Sequence, residues 1–267
     1  ATRVGPTGLI EKGRENLLVQ SNQFDTTWIK SNASVTSGHA GYDGSTDAWL
    51  LENISSSSAH IKQDKVVNGV QTASVYAKSG NVDYIYLRLG GSSSRGIFVN
   101  LSNGTIHSTF GTLIDYNVDS VGNGWYRISV TYEGNHSNFR VYASASGGTS
   151  TSLGDNIYIQ DAQLEIGLAA TDYIESGATT GKAGLLEDEP RLDYSGGATC
   201  PSLLLEPSRT NLITYSEYFG AYTNSNSTDE PNATASPEGL TNATSFLEAA
   251  TTGQHKLATS YGFDGSS

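Results

Sequence analysis

Apolar and polar residues alternate with a period of two along much of the chain before residue 165. Strands that bury one face have this period, because successive side chains point to opposite sides of a sheet. The clearest case is residues 71–78, where Ala73, Val75 and Ala77 share one face. The same alternation predicts strands over residues 83–89, 96–101, 105–109, 125–132, 138–144 and 156–164.

The residues before position 71 give a weaker strand pattern, in which turn residues separate the segments. Strands are predicted there over residues 17–24, 28–36, 48–54 and 59–67. Farther along, Asn103-Gly104 is a strong hairpin signal, and Gly122-Asn123-Gly124 marks another turn. Many short strands separated by turns indicate an all-β protein. We predict a two-sheet β-sandwich of the jelly-roll type.

A later segment repeats the beginning of this domain. When Asn211 is aligned with Asn16, an offset of 195 residues, Phe219 falls on Phe24. Further matches at this offset are Leu212 on Leu17, Ser216 on Ser21, Gly239 on Gly44, Ala243 on Ala48 and His255 on His60. Several matches at one offset indicate a tandem duplication with a long period.

The duplication gives the chain a predicted organisation of four parts. They are an extended lead-in at residues 1–15, the sandwich at residues 16–174, a connector at residues 175–210 and a truncated second copy of the domain at residues 211–267. The connector contains apolar pairs such as Leu185-Leu186, so we expect it to pack on a domain or on a neighbouring chain. The second copy lacks counterparts of residues 73–164, and we expect that it does not fold alone.

The charge and the hydropathy of the chain argue against two classes of partner. The formal net charge is −12 and the pI is near 4.7, and no cluster of Lys and Arg is present that would follow a phosphate backbone. Nucleic acid is therefore not an expected partner. No apolar run is long enough for a transmembrane helix, so we expect no membrane partner either. The single cysteine, Cys200, has no partner for an internal disulfide.

Four stretches of the sequence resemble a known family. They are NLLVQSNQFDTTWIKSN from residue 16, SVYAKSG from residue 74, GWYRISVTY from residue 124 and IYIQDAQLEIGLAATDYIESG from residue 157. Their order is similar to that of the carbohydrate-binding-module-like jelly-roll domains of bacteriophage virion proteins. The connector, PRLDYSGGATCPSLLLEPSRTNLITYSEYF, resembles segments that join such domains in phage tail and fibre proteins. The resemblance implies a fibre, tail or capsid-decoration component that acts through assembly or surface attachment.

The sequence contains no convincing catalytic constellation, so we predict that the chain is not an enzyme. The five histidines are scattered through loop or polar contexts, and no Ser or Cys lies in a nucleophile motif. The run Glu187-Asp188-Glu189 has the residue types of glycosidase carboxylates or metal ligands, but adjacent carboxylates in a connector are more typical of a solvated charge run. No cofactor is expected, except that the resemblance implies a structural calcium ion at Asp161. Calcium needs six to eight oxygen ligands, of which the sequence identifies one.

The strongest candidate site is the polar face that remains after the core positions are assigned. The residues predicted to form it are Tyr76, Tyr84, Tyr86, Arg88, Trp125, Arg127 and Tyr142. Aromatic rings beside hydrogen-bond donors suit sugars, which offer apolar C–H faces and hydroxyl groups. The same face also suits packing against another subunit, and both interpretations stay open at this point.

The sequence therefore predicts a non-enzymatic virion structural protein, located in the extracellular virion. Its expected partners are other copies of itself and other virion proteins. The alternative is a carbohydrate-binding module that attaches to surface polysaccharides of the host. A third option is a non-catalytic accessory region of a polysaccharide-degrading enzyme.

Overall fold

The computed structural model describes residues 2–4, 9–55, 57–91, 94–149, 151–184, 192–193, 200, 202–203, 211–213 and 215–259. Leu185-Leu186 and the acidic run 187–189 of the predicted connector lie outside these residues, as do residues 260–267 of the second copy. The chain divides into two compact units, one of residues 14–183 and one of residues 1–13 with residues 184–267.

Short strands make up nearly all the regular structure. The strands up to residue 183 are β1 (Thr2–Val4), β2 (Ile10–Lys12), β3 (Arg14–Asn16), β4 (Ile29–Ser31), β5 (Ala33–His39), β6 (Ala48–Asn53), β7 (His60–Val67), β8 (Val70–Ser79), β9 (Tyr84–Gly90), β10 (Arg95–Asn100), β11 (Thr105–Phe110), β12 (Asp115–Gly122), β13 (Trp125–Glu133), β14 (His136–Ser144), β15 (Asn156–Ile166) and β16 (Gly181–Ala183). The later strands are β17 (Leu192–Asp193), β18 (Ser202–Leu203), β19 (Thr223–Ser225), β20 (Ser227–Ala235), β21 (Thr241–Glu248) and β22 (Lys256–Ala258), with a 3-10 turn at Phe219–Ala221. No helix in the described part of the chain has the length and hydropathy to cross a membrane.

The unit of residues 14–183 is a jelly-roll β-sandwich, as the sequence predicts. Sheet I has the strand order β11-β10-β9-β14-β7-β4, and sheet II has the order β12-β13-β8-β15-β6-β5. The pairs along both sheets are antiparallel. A short pair, β3 with β16, accompanies them. Consecutive strands often change sheet, so that β8 lies in sheet II and β9 in sheet I.

The two sheets enclose one hydrophobic core. Ala73, Val75 and Ala77 of β8 are fully buried in it, which confirms the predicted alternation along that strand. Sheet I adds Ile61, Ile85, Leu87, Leu89, Ile97, Val99, Phe139 and Val141, and sheet II adds Leu51, Ile128, Val130, Ile157, Ile159 and Leu164. Each large aliphatic side chain buried in this way contributes about 1.5–3 kcal/mol, so the core holds the sheets together.

The segment from residue 17 to residue 24 is not a strand, and that prediction is wrong. Its backbone bonds to groups from other strands and from side chains. The Leu17 N–H donates to the Leu164 carbonyl at 2.7 Å, and the side chain of Gln63 bonds to both the N–H and the carbonyl of Val19 at 2.8 Å. Leu18 and Phe24 are nevertheless fully buried, so the apolar pattern predicts their burial correctly but predicts the wrong secondary structure.

Two other strand predictions differ from the structure. The predicted strand 28–36 is divided into β4 and β5 at Asn32, whose φ of 50° is in the left-handed region. Strand β12 was not predicted, because its sequence DYNVDSVG is rich in Asp and Asn, which are depleted in strands. It pairs with β13 through the predicted turn at residues 122–124, where Asn123 has a φ of 53°.

Two strand pairs of the second unit are arranged like the opening pairs of the sandwich. Strand β19 pairs with β22 and β20 pairs with β21, in the way that β4 pairs with β7 and β5 with β6. The registers correspond as well. Asp229 lies opposite Phe246, as Val35 lies opposite Leu51. The unit also contains two short hairpins, β1 with β2 and β17 with β18. Residues 1–15, predicted as an extended lead-in, therefore include a paired hairpin.

The pairing corrects one match in the predicted repeat. Ser31 lies opposite His60 in the first copy, and Ser225 lies opposite Lys256 in the second. Lys256, rather than His255, therefore occupies the position equivalent to His60. The fixed offset of 195 residues misses this because the second copy has gained one residue between β21 and β22 relative to the first.

The second copy exposes positions that the first copy buries. Leu18 and Leu51 have no exposed surface, whereas their counterparts Ile213 and Phe246 are 49% and 43% exposed. In the first copy β6 also pairs with β15, and β7 also pairs with β14. Within the described residues, β21 and β22 have no such additional neighbours. Among its described residues, the second unit thus has two strand pairs like those of the sandwich and no further strands beside them.

Candidate functional site

The residues predicted to share one face lie on opposite sides of the sandwich. Tyr76, Trp125 and Arg127 belong to sheet II, whereas Tyr84, Tyr86, Arg88 and Tyr142 belong to sheet I. Each alternates along its strand with core residues, so each is on the outer face of its sheet. The prediction of a single face is therefore wrong. A period of two identifies the outward side of a strand, but it does not identify the sheet that the strand joins.

The outer face of sheet II is covered by the chain itself. The ring of Tyr42, from the loop between β5 and β6, stacks on Tyr76 with centroids 3.8 Å apart and planes 1° apart. Trp125 is only 1% exposed and meets the edge of Tyr42. The guanidinium of Arg127 lies over Tyr76, with its carbon 5.4 Å from the ring centroid, and donates to the Thr171 carbonyl. These predicted binding residues therefore stabilise the fold on this side.

Asp161 lies in a β-bulge beneath the same cover. The pairing of β15 with β8 shifts between Gln160 and Gln163, and Asp161 has a φ of 53°. Its Oδ2 accepts a hydrogen bond from the Tyr42 hydroxyl at 3.0 Å, and the nearby Tyr173 hydroxyl bonds to Ser21 Oγ at 2.6 Å. Burial is the main cause that raises the pKa of Asp161 to about 7, and the nearby Asp47 and Asp43 add to the effect.

This environment does not fit a calcium ion. In the described part of the chain, no group of three or more His, Cys, Asp or Glu side chains is placed to hold a metal. Oδ2 of Asp161 accepts a hydrogen bond from a tyrosine hydroxyl group, and burial disfavours the charge of the carboxyl group. Calcium at Asp161 stays a prediction that this geometry does not support.

The outer face of sheet I carries a row of aromatic rings. His60, Tyr142, Tyr86 and Phe98 lie next to one another on four neighbouring strands. Successive ring centroids are 4.5, 5.3 and 3.9 Å apart. Tyr86 and Tyr142 are 4% and 3% exposed, and Tyr84 is half-buried, so two of these outward-facing tyrosines are nearly as buried as the core. The rings pack against one another and stabilise this face.

A row of cations runs beside the aromatic row. Lys62 of β7, Arg140 of β14 and Arg88 of β9 lie directly opposite one another in register. The Tyr142 hydroxyl accepts a hydrogen bond from Nη1 of Arg88 at 3.2 Å and from Nη1 of Arg140 at 3.3 Å. The aromatic row therefore fixes the positions of both guanidinium groups.

Both arginines line a pocket of about 400 Å³ at the end of this face. Nη2 of Arg88 donates to Ser94 Oγ at 2.6 Å, and Nε of Arg140 donates to Asn138 Oδ1 at 2.7 Å. His136 also lines the pocket, and burial lowers its pKa to about 4, so the ring is neutral at pH 7. The volume is that of a small-ligand site, and its walls are rich in hydrogen-bond donors.

Several members of this site were missed at the sequence level. Phe98 could have been found, because the alternation that places Ile97 and Val99 in the core places Phe98 outside. Asn138 could also have been found, because the same alternation places it outside with Tyr142, whereas Ser94 precedes β10 and gives no periodic signal. Tyr42 lies in a loop, where periodicity says nothing about its partner.

Comparisons with known proteins find a likeness to solved structures. Neither a protein-family model nor a curated protein matches the chain. One similar structure is the CBM22-1–GH10 segment of Clostridium thermocellum endo-1,4-beta-D-xylanase 10B complexed with xylohexaose, at 15% identity and a TM-score of 0.34. The match covers 62% of this chain and 30% of that one.

Two smaller structures match over most of their own length. TmCBM61 in complex with beta-1,4-galactotriose is 15% identical, with a TM-score of 0.33, over 56% of this chain and 97% of that chain. CBM35 from Paenibacillus barcinonensis is 16% identical, with a TM-score of 0.27, over 56% and 98%. These neighbours are carbohydrate-binding modules or contain one. The sandwich of this chain is defined by its own two sheets.

Proposed function

We propose that the complete sandwich is a non-enzymatic glycan-binding module and that the outer face of sheet I is its binding surface. The observation that supports this most is the difference between the two sheets. Tyr42 and the segment around Thr171 cover the outer face of sheet II. The outer face of sheet I instead carries the exposed ring of Phe110, two partly exposed guanidinium groups and a pocket. An exposed ring beside hydrogen-bonded guanidinium donors suits the C–H faces and hydroxyl groups of sugars.

An exposed aromatic residue extends this surface toward the sheet edge. Phe110 of β11 lies opposite Gly96, which lies opposite Arg88 on the other side, so Phe110 continues the row of the cations. It is 53% exposed. A sugar ring that stacks on Phe110 would have its next residue directed along this row toward the arginines.

Glycan binding is tested by screening the purified chain against an array of bacterial polysaccharides. We expect binding to at least one glycan and a loss of about fivefold or more in the Phe110→Ala variant, because a stacked aromatic contributes roughly 1 kcal/mol or more. Tyr116→Ala is the matched control, since Tyr116 is an exposed aromatic, at 44%, on β12 of sheet II. The proposal is wrong if no glycan binds, or if the control loses as much binding as Phe110→Ala.

A second role concerns assembly within a bacteriophage virion, in the extracellular particle, as the sequence resemblance implies. We propose that the partial sandwich of the second unit associates with other copies of the chain or with other virion proteins. The exposure of Ile213 and Phe246, whose counterparts in the first copy are core residues, supports this. Exposed apolar positions beside unpaired strand edges favour association.

Light scattering over a range of chain concentrations tests this second role. We expect association that increases with concentration and that weakens in the Phe246→Ser variant. Tyr116→Ser, which removes an exposed aromatic from the complete sandwich, is the control. A chain that is monomeric at every concentration, or one in which both variants behave alike, contradicts the assembly proposal.

A further inference from the structure

Two of the three cations in the row on sheet I have no ion pair within the described residues. In an acidic protein of net charge −12, Lys62, Arg140 and Arg88 stand side by side on three neighbouring strands. Like charges that face each other directly across strands destabilise a sheet. Lys62 is balanced by Asp64, at 2.9 Å. The two arginines therefore carry the unbalanced charge.

The hydrogen bonds of these arginines go to neutral groups. Among the described residues, Arg88 donates to the hydroxyl groups of Tyr142 and Ser94, and Arg140 donates to the Tyr142 hydroxyl and the Asn138 amide oxygen. Nε of Arg88 is buried and has no hydrogen-bond partner in the described structure. None of the described residues that line the pocket is an Asp or a Glu.

The pKa of His60 is affected by the same positive charges. Burial is the main cause that lowers the pKa of His60 to about 4, and Arg140, Lys62 and Arg88 lower it further. The carboxylate of Asp64 is engaged with Lys62. At neutral pH His60 is uncharged, so the net charge facing the pocket comes from the guanidinium groups.

The pocket is built so that both guanidinium groups can reach one ligand. Asn138 and Tyr142 fix Arg140, while Tyr142 and Ser94 fix Arg88. The backbone at Gly90 makes room for this arrangement, because a Cβ at Gly90 would lie 2.3 Å from Asn138 Oδ1. Planar guanidinium groups held in place bind carboxylate and sulfate oxygens with charge-assisted hydrogen bonds.

We propose that this pocket binds an anionic sugar residue, whose carboxylate or sulfate group lies between Arg88 and Arg140. The proposal rests on the proposed glycan-binding function and adds the charge class of the ligand. A pocket of about 400 Å³ has the volume for one sugar residue. The anion would supply the negative charge that the cation row lacks, and the rest of the glycan would lie along the sheet toward Phe110.

Isothermal titration of the full chain with three oligosaccharides tests the proposal. The probes are tetragalacturonate, its uncharged methyl ester and a sulfated carrageenan tetrasaccharide. We expect tetragalacturonate or the sulfated probe to bind about tenfold or more tightly than the methyl ester, and the stronger of the two identifies the anion. Arg88→Gln and Arg140→Gln should each weaken binding of the anionic probe about tenfold, because hydrogen bonds to charged groups are among the strongest. Binding of the methyl ester should change less than about twofold.

Lys182→Gln is the control, because Lys182 is an exposed cation on β16 and does not line the pocket. Tryptophan fluorescence of each variant checks that the sandwich is folded. Equal binding of charged and uncharged probes overturns the anionic assignment and leaves the glycan-binding function standing. Loss of the same size in Lys182→Gln also overturns it, because the effect would then reflect overall charge. If none of these probes binds and the polysaccharide array is also negative, the proposed function falls together with this inference.

Discussion

Asp161 should make the stability of the sandwich depend on pH, and the Asp161→Asn variant isolates that dependence. Burial raises the pKa of this carboxyl group to about 7, well above its value of 3.8 in an unfolded chain. Asn keeps the size of the side chain and its acceptor oxygen for the Tyr42 hydroxyl. Asn also tolerates the left-handed backbone at this position, where φ is 53°. The variant therefore removes the titration with little change in packing.

The sign follows from where the proton is held more tightly. The folded chain binds the proton more strongly than the unfolded chain between about pH 4 and pH 7, so the free energy of unfolding falls as the pH rises through that window. With about 1.4 kcal/mol for each unit of pKa, the loss between the two limits is roughly 4 kcal/mol. The Asn variant does not have this loss. The difference in stability between variant and wild type should therefore shift by roughly 4 kcal/mol in favour of the variant from pH 4 to pH 8.

Urea unfolding followed by tryptophan fluorescence measures this difference for the sandwich alone. All three tryptophans, Trp28, Trp49 and Trp125, are buried in the unit of residues 14–183. Asp25→Asn, at an exposed position in the same unit, controls for the loss of one negative charge. Stability curves of wild type and Asp161→Asn that stay parallel from pH 4 to pH 8 refute the reasoning. If added calcium stabilises the wild type at pH 8 but not the variant, the predicted calcium site gains support.

Three further predictions follow from packing and from the repeat. Tyr86→Ala should lower the free energy of unfolding of the sandwich by about 3 kcal/mol, because the ring is buried between Phe98 and Tyr142. Tyr84→Ala should lower it less, because Tyr84 is only half-buried. Urea unfolding of both variants measures the two losses, and equal losses contradict the prediction. Gly90→Ala should weaken binding of the anionic probe about threefold or more although no arginine is changed, because the new Cβ would displace Asn138 from Arg140. An unchanged affinity in isothermal titration would show that Asn138 does not position Arg140. A fragment of residues 203–267 should give an NMR spectrum with little amide dispersion, because its counterparts of core residues are exposed, and a dispersed monomeric spectrum would contradict this.

The sequence predicts the strands of the core better than the surface of the molecule. Alternation places Val75, Ile85 and Val141 in the core correctly, because each lies on a strand with one apolar face and the side-chain period of a strand is fixed by its geometry. The segment around Leu18 fails, since an irregular segment can bury the same apolar residues while its backbone bonds to Gln63. Burial alone does not specify the backbone conformation that achieves it.

The candidate site shows where sequence reasoning ends. Alternation identified Tyr76 and Tyr86 as outward-facing, and both are on outer faces. It gave no means of knowing that the two strands enter different sheets, or that the loop with Tyr42 would close over one of them. These facts depend on contacts between residues that are distant in sequence. The row of Lys62, Arg140 and Arg88 is likewise visible only once the registers of three strands are known.

The central claim is that the outer face of sheet I binds a glycan, and NMR mapping tests it most directly. The isotope-labelled chain would be titrated with tetragalacturonate while the backbone amide shifts are followed. We predict that the largest changes fall at Arg88, Gly90 and Arg140, with Phe110 also affected, and that the amides around Tyr42 and Trp125 of sheet II stay unchanged. Shifts concentrated on sheet II or in the second unit, or no shifts with any glycan found on the array, would contradict the claim.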